Sequence, residues 1–169
     1  MTEELKPYKI LVEQNPEDRK QLRKRSSQVP PEEITTKEFR TFLEKLRLTL
    51  KESESDLEEG FISVGLAAPQ VGIRKRVFLA LDNNSEEVIT YINPKLKLLG
   101  QVRDIRAEYC LSIPGESGEV ARHKRIQITY MDHEGREQKK KFSGFNARLI
   151  QHEFDHLEGI LFIDRLKTN

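Results

Sequence analysis

Residues 151–159 read Q-H-E-F-D-H-L-E-G. In an α-helix each residue advances by about 100°, so His152 and His156 lie one turn apart on one face, with Glu153 beside them. This is the H-E-x-x-H arrangement, in which two imidazoles hold a divalent metal and the glutamate acts as an acid/base on water. Taken alone, so short a match is equally compatible with a surface helix that carries two solvated histidines.

The residues around this motif divide the predicted helix into three faces. Apolar side chains form the first face: Ala147, Ile150, Phe154 and Leu157. Polar side chains form the second face: Arg148, Gln151 and Asp155. The two histidines and the glutamate occupy the remaining arc. We therefore predict a helix that is capped by Ser143 and runs to about Leu157, packs on its apolar side and turns its metal face to a second, partly enclosed side.

The segments before this helix predict two more helices and then a series of strands. Residues 17–26 are polar and favour helix, and Thr35 or Thr36 can cap a helix with apolar residues at steps of three and four. The apolar positions of this helix are Phe39, Phe42, Leu43, Leu46 and Leu50. The acidic residues 52–60 predict an exposed loop.

Short apolar runs in the second half of the chain predict strands. They lie at residues 76–81, 88–93, 96–99 and 125–132, and the polar residues 136–142 are predicted as a further strand because they follow a turn. His133, Glu134 and Gly135 separate the last two and predict a hairpin turn. Helix, mostly antiparallel strands and a final helix together predict an α+β fold.

Composition limits the classes of protein that this chain can represent. Its 169 residues, 36% of them hydrophobic and 34% charged, suit one domain over residues 1–169. The formal net charge of +1 gives no overall field for nucleic acid, so we expect no direct binding to it. The basic clusters at residues 23–25, 123–125 and 139–141 are interpreted as solvated faces. The first fifteen residues contain no apolar segment of the kind that secretory signals carry, and no run of ~20 apolar residues is present. We therefore expect no secretory signal and a cytoplasmic protein without membrane contact.

A metal site needs a third protein ligand besides the two histidines. The candidates are His123, His133, Glu158 and the single cysteine, Cys110. A lone thiol excludes an internal disulfide and is most often buried filler, although its thiolate would bind a metal strongly. The residues alone leave this choice open.

Three segments together resemble the peptide deformylase family. They are SVGLAAPQ at residues 63–70, EYCLS at residues 108–112 and QHEFDHLEG at residues 151–159. Their order and spacing match the signature motifs of that family, and the resemblance extends over nearly the whole chain. It implies an α+β fold with mostly antiparallel strands packed around a central C-terminal helix that bears the HExxH motif.

The resemblance implies a metal-dependent hydrolase that removes the formyl group from the N-terminal formyl-methionine of new polypeptides. Cys110, His152 and His156 correspond to the metal ligands and Glu153 to the catalytic acid/base. The family implies one divalent ion. Ferrous iron is the preferred assignment, and zinc and nickel are the alternatives. The implied partners are N-formylmethionyl nascent peptides, with transient association with the ribosome.

Further residues correspond to the substrate cleft of the family. Gln70 and the backbone N–H of Leu111 correspond to the donors that stabilise the developing oxyanion. Gly65 and its neighbour Val64 correspond to the edge to which the substrate peptide adds as a strand.

Two positions depart from the family pattern, which usually has glycine where this chain has Ser63 and Tyr109. A positive φ would strain tyrosine by ~1 kcal/mol or more, whereas an ordinary φ would place its ring beside the metal cleft as part of the substrate site. One alternative that follows is a catalytically altered deformylase-like protein whose cleft is narrowed by Tyr109. A separate alternative is a zinc peptidase that shares the HExxH motif.

Overall fold

A computed structural model describes residues 5–53 and 64–167. In chain order the helices are α1 (Pro16–Leu22), α2 (Pro31–Ile34), α3 (Lys37–Ser53) and α4 (Gly144–Leu157). The strands are β1 (Gly65–Ala67), β2 (Val77–Asp82), β3 (Glu87–Cys110), β4 (Ile113–Met131) and β5 (Glu137–Ser143). Single 3₁₀ turns follow β1 (Ala68–Val71) and α4 (Phe162–Arg165).

Polar side chains cap the first N–H groups of α1 and α3. Asn15 Oδ1 accepts hydrogen bonds from the second and third residues of α1, and α1 ends at Leu22, short of residue 26. Thr36 Oγ1 accepts from the N–H of Phe39 at 3.2 Å, which confirms the predicted threonine cap of α3. Ser143 occupies the N-cap position of α4, but its side chain makes no capping hydrogen bond.

The prediction of an exposed loop was wrong for its first two residues. Glu52 and Ser53 complete α3, and Ser53 is buried with its hydroxyl donating to the carbonyl of Leu50 at 2.6 Å. The apolar stripe of α3 continues to its last turn, so packing outweighs the acidic composition there. Residues 54–60 of the predicted loop lie outside the described residues.

All five strands form one antiparallel sheet in the order β1-β2-β3-β4-β5. The predicted strands at residues 88–93 and 96–99 are parts of the single long strand β3, which is interrupted by register shifts. The first shift contains Asn93, whose φ is +50° and whose side-chain amide makes two 2.8 Å hydrogen bonds with the backbone of Val29. The predicted hairpin turn at residues 133–135 joins β4 to β5.

The sheet is covered by a helix on each face. Helix α4 packs with Phe78, Tyr91 and Ile128 on one face, and α3 packs with Leu79 and Ile92 on the other. The predicted α+β fold around a central C-terminal helix is therefore confirmed. No helix within residues 5–53 and 64–167 is long and apolar enough to cross a membrane.

Leu46 tests the packing of α3 because its side chain is fully buried in the cluster below that helix. We expect Leu46→Ala to lower the free energy of unfolding by ~2–5 kcal/mol through lost burial and a residual cavity, measured by urea denaturation. The exposed Lys51→Ala in the same helix should change it by no more than ~0.5 kcal/mol. Equal effects from the two variants would contradict this account of the core.

Candidate active site

Helix α4 is buried on its polar face as well as on its apolar face. Arg148, Gln151 and Asp155, which form the predicted polar face, each expose less than a tenth of their surface. The expectation that this helix packs on one side and leaves a second side partly enclosed therefore understated its burial. The reason is that the polar side chains bind partners on β3, β4 and the turn after α4.

Cys110, His152 and His156 converge at one point. Cys110 ends β3, while the histidines lie one turn apart on α4. One donor atom from each residue lies within 4.8 Å of the other two, and Cys110 Sγ is 3.4 Å from His156 Nε2. The structure thus brings together the three ligands that the resemblance implied.

The other candidate ligands lie elsewhere or have other partners. His123 is buried, contrary to its interpretation as part of a solvated face, and its Nδ1 lies 3.1 Å from the carbonyl of Gly100. Glu158 forms ion pairs with Arg25 and Arg76 at 2.8 and 2.6 Å. His133 is exposed in the β4–β5 turn.

The donor set fits a catalytic divalent cation. A thiolate and two imidazoles suit iron, zinc or nickel, and three protein ligands leave a coordination position open. His152 Nδ1 lies 2.9 Å from Glu108, which leaves its Nε2 for a metal. Among the described residues, the buried Nδ1 of His156 has no hydrogen-bond partner.

Glu108 is the functional residue that the sequence reasoning missed. Its carboxylate accepts hydrogen bonds from Arg122 at 2.8 and 2.9 Å and from Arg148 at 2.7 Å, besides its contact with His152. Burial acts to raise the pKa of Glu108, but hydrogen bonds from Arg122 and His152 outweigh it and hold the pKa well below its usual range. The signal in the sequence was its place two residues before Cys110, on the same side of a strand.

Glu153 lies beside the ligands in a buried position. It exposes 3% of its surface, and its Oε2 has no hydrogen-bond partner among the described residues. Burial raises the pKa of Glu153 to about 7. A carboxyl group with this pKa can both take up and release a proton near neutral pH.

Gly65 on β1 allows Glu153 to approach the backbone. A Cβ atom at this position would lie 2.8 Å from the carboxyl carbon of Glu153 and 3.0 Å from its Cγ, closer than packed atoms allow. Glycine is therefore the residue that fits here without displacing the glutamate.

Gln70 faces the cluster from the turn after β1. Its Oε1 accepts from the N–H of Ala67 at 2.8 Å, which directs its Nε2 toward Cys110 Sγ at 3.6 Å and Ser112 Oγ at 3.2 Å. Leu111 follows Cys110 directly and is half-buried. Both residues predicted to bind the oxyanion thus lie beside the cysteine.

Tyr109 adopts an ordinary backbone conformation, because it is not among the described non-glycine residues with positive φ. It lies at the register shift between Glu108 and Cys110, and half of its surface is exposed. The alternative of a strained tyrosine is therefore excluded. Ser63, the other departure from the family pattern, lies outside the described residues.

Comparison with known proteins agrees with this geometry. Residues 7–169 match the family model for polypeptide deformylase. The chain is 37% identical to the peptide deformylase of Halothermothrix orenii over 142 residues, which covers 84% of this chain and 86% of that protein. The crystal structure of peptide deformylase from Thermotoga maritima superposes with a TM-score of 0.81 at 34% identity, covering 96% of this chain and 99% of that one.

This chain belongs to the peptide deformylase family. A Met-Ala-Ser-bound peptide deformylase from Acinetobacter baumannii also matches, at 28% identity, a TM-score of 0.81 and coverage of 95% and 98% of the two chains. Membership confirms the predicted enzyme class, a metal-dependent hydrolase whose family acts in N-terminal processing of new proteins. The comparisons do not favour a zinc peptidase.

A substitution at Glu108 tests whether this carboxylate orients His152 for metal binding. We expect Glu108→Gln to weaken zinc binding by ~10–100-fold, because the amide no longer gives His152 Nδ1 a charged acceptor, as measured by competition with a chromophoric chelator. Asp104→Asn is the matched control, since Asp104 pairs with Arg148 and Arg106 without contacting a histidine. Unchanged zinc affinity in Glu108→Gln would contradict this role.

Proposed function

We propose that Cys110, His152 and His156 hold one divalent cation, ferrous iron first, with zinc and nickel as alternatives. The proposal is supported by the convergence of their donor atoms within 4.8 Å and by the metal dependence of the family. When bound, such a cation supplies Lewis acidity and brings the pKa of water toward neutrality.

Glu153 is the proposed acid/base of formyl hydrolysis. Its carboxylate takes a proton from the attacking water and passes it to the nitrogen of the methionine, which leaves as a neutral amine while formate is released. The buried position of Glu153 and its pKa of about 7 support this role, because both protonation states are accessible near neutral pH.

Gln70 and Leu111 are the proposed oxyanion donors. Attack on the formyl carbon places a negative charge on its oxygen, and the Gln70 Nε2 amide and the Leu111 N–H can donate to it. The contacts of Gln70 with Ala67 and Ser112 support this role, because they hold the amide in one orientation beside Cys110. One such donor is typically worth ~3 kcal/mol of transition-state stabilisation.

The free edge of β1 is the proposed docking site for the substrate backbone. The carbonyl of Val64 accepts from the N–H of Leu81 on β2 at 2.7 Å. Backbone groups alternate along a strand, so the N–H and C=O groups of Gly65 and Ala67 point away from β2. The N–H of Ala67 already donates to the side chain of Gln70. The N–H and C=O groups of Gly65 therefore remain to pair with an added peptide strand.

Tyr109 is the proposed wall of the cleft for residues that follow the methionine. Its half-exposed ring next to Cys110 and its unstrained backbone support contact with substrate rather than obstruction. Glycine, the usual residue of the family at this position, has no side chain that could form such a wall.

We further infer that residues 1–169 act as one catalytic domain in the cytoplasm, where Cys110 stays reduced. N-formylmethionyl nascent peptides are the substrates, and transient association with the ribosome follows from that choice of substrate. The family match over residues 7–169 and the placement of all candidate site residues against one sheet support the single domain.

Formate release from a formyl-Met-Ala-Ser peptide tests the proposed chemistry. The protein is purified without oxygen and loaded with ferrous iron. We expect rapid release by the parent and a ~10²–10⁴-fold lower kcat for Glu153→Gln, which loses the proton carrier but keeps the metal ligands. Release by Glu153→Gln at the parental rate would contradict the acid/base role, and no release by a folded, loaded parent would contradict the deformylase.

Metal content tests the ligand set separately from activity. We expect Cys110→Ser and His156→Ala to retain little metal after gel filtration, because two remaining ligands hold a cation weakly. His133→Ala, which changes an exposed histidine outside the cluster, should retain as much metal as the parent. Metal retention by Cys110→Ser would remove the cysteine from the proposed site.

A further inference from the structure

One face of the sheet carries five exposed cations on three neighbouring strands. They are Lys95 and Lys97 on β3, Arg125 on β4, and Lys139 and Lys141 on β5. We call these five residues the basic sheet face. They are scattered over nearly fifty residues of sequence, so only the pairing of strands brings them together.

The strand register sets these side chains in rows. Gln127 on β4 pairs with Lys97 on one side and Lys141 on the other. In the next row, Thr129 pairs with Lys95 and Lys139 in the same way. Paired residues point to the same face, so the cations of a row lie about 10 Å apart, and successive cations on one strand about 7 Å apart.

This face points away from the active site. Met131 on β4 packs into the cluster beneath α3. Alternation along the strand puts Thr129, Gln127 and Arg125 on the same side as Met131, opposite to Ile128, which packs against α4. The basic sheet face is therefore the part of the α3 side of the sheet that remains exposed to solvent.

The cations of this face are not neutralised within the part of the chain that the structure describes. None of the five forms an ion pair there, whereas Lys20, Lys75 and Arg136 elsewhere on the surface each pair with a carboxylate. The acidic residue at its border is Glu137, which pairs with Met131 in the next row. Five unpaired charges within a patch of this size act within about one or two Debye lengths of each other and attract a polyanion despite the low net charge.

We propose that the basic sheet face binds the phosphate backbone of nucleic acid, without sequence preference. Gln127, Thr129 and Ser143 lie among the cations and offer hydrogen-bond donors of the kind that contact phosphate and sugar oxygens. Binding to an anionic membrane surface would call for large apolar side chains that insert between lipids, and this face carries only the half-buried Leu99.

Fluorescence anisotropy with an end-labelled oligouridylate of about 20 nucleotides tests the proposal on the full chain. For five phosphate contacts, a plot of log K against log salt concentration should have a slope of about −3.5. The variant Lys97→Gln, Lys139→Gln, Lys141→Gln removes three contacts. We expect its slope to be shallower by about 2 and its affinity at low salt to be at least ~10-fold weaker.

A charge-matched variant separates this face from a general effect of charge. Lys9→Gln, Lys20→Gln, Lys24→Gln removes the same charge from exposed positions outside the basic sheet face and should bind like the parent. Substituting arginine at positions 97, 139 and 141 keeps the charges and should preserve binding. Because the face lies away from α4, deformylation of a short formyl peptide should be unchanged in every variant, which also establishes that each is folded.

Two results would overturn the proposal. One is an equal loss of oligouridylate affinity in the charge-matched variant, which would show that the attraction depends on total charge and not on the basic sheet face. The other is absence of oligouridylate binding at low salt while the protein co-sediments with phosphatidylglycerol vesicles, which would assign the face to a membrane surface. The readout is independent of formate release, so failure here would leave the deformylase assignment intact.

Discussion

The buried carboxylate of Glu108 is the interaction on which the rest of this structure depends. It lies where β3, β4 and α4 meet, and it accepts hydrogen bonds from Arg122 and Arg148 while contacting His152. Burying a charge is costly unless it is paired and hydrogen-bonded, and removing one partner of such a pair is strongly destabilising. The same carboxylate therefore fixes the helix against the sheet and orients a candidate metal ligand.

The network around Glu108 extends from the candidate metal site to the C-terminal turn. Arg122 also donates to Asp155 on α4, and Asp155 in turn receives two hydrogen bonds from Arg165. The ring of Phe162 in the same turn stacks with His152. The C-terminal turn also packs against Ile113 and Val120 of β4. It thus supports the helix that bears the histidines and gives them a rigid setting without contributing a ligand.

Sequence reasoning succeeded where local pattern and chemistry coincide. The HExxH helix, the cap of α3 and the β4–β5 turn were predicted because each depends on residues close in the chain. It failed where packing overrides composition. Glu52 and Ser53 belong to α3, although the acidic composition of their segment predicted a loop. It also did not predict that the polar face of α4 is buried, since the partners of that face come from strands that are distant in the sequence.

The sequence by itself determined the enzyme family, the candidate ligands and Glu153, because residue type and short spacing specify that chemistry. Residue type and spacing alone left the third ligand open, and the family resemblance pointed to Cys110. The tertiary structure places Cys110, and neither His123 nor Glu158, next to the histidines, since β3 ends beside α4. It also decided the distribution of charge. A net charge of +1 describes the whole chain, whereas the strand register gathers unpaired cations on one face of the sheet.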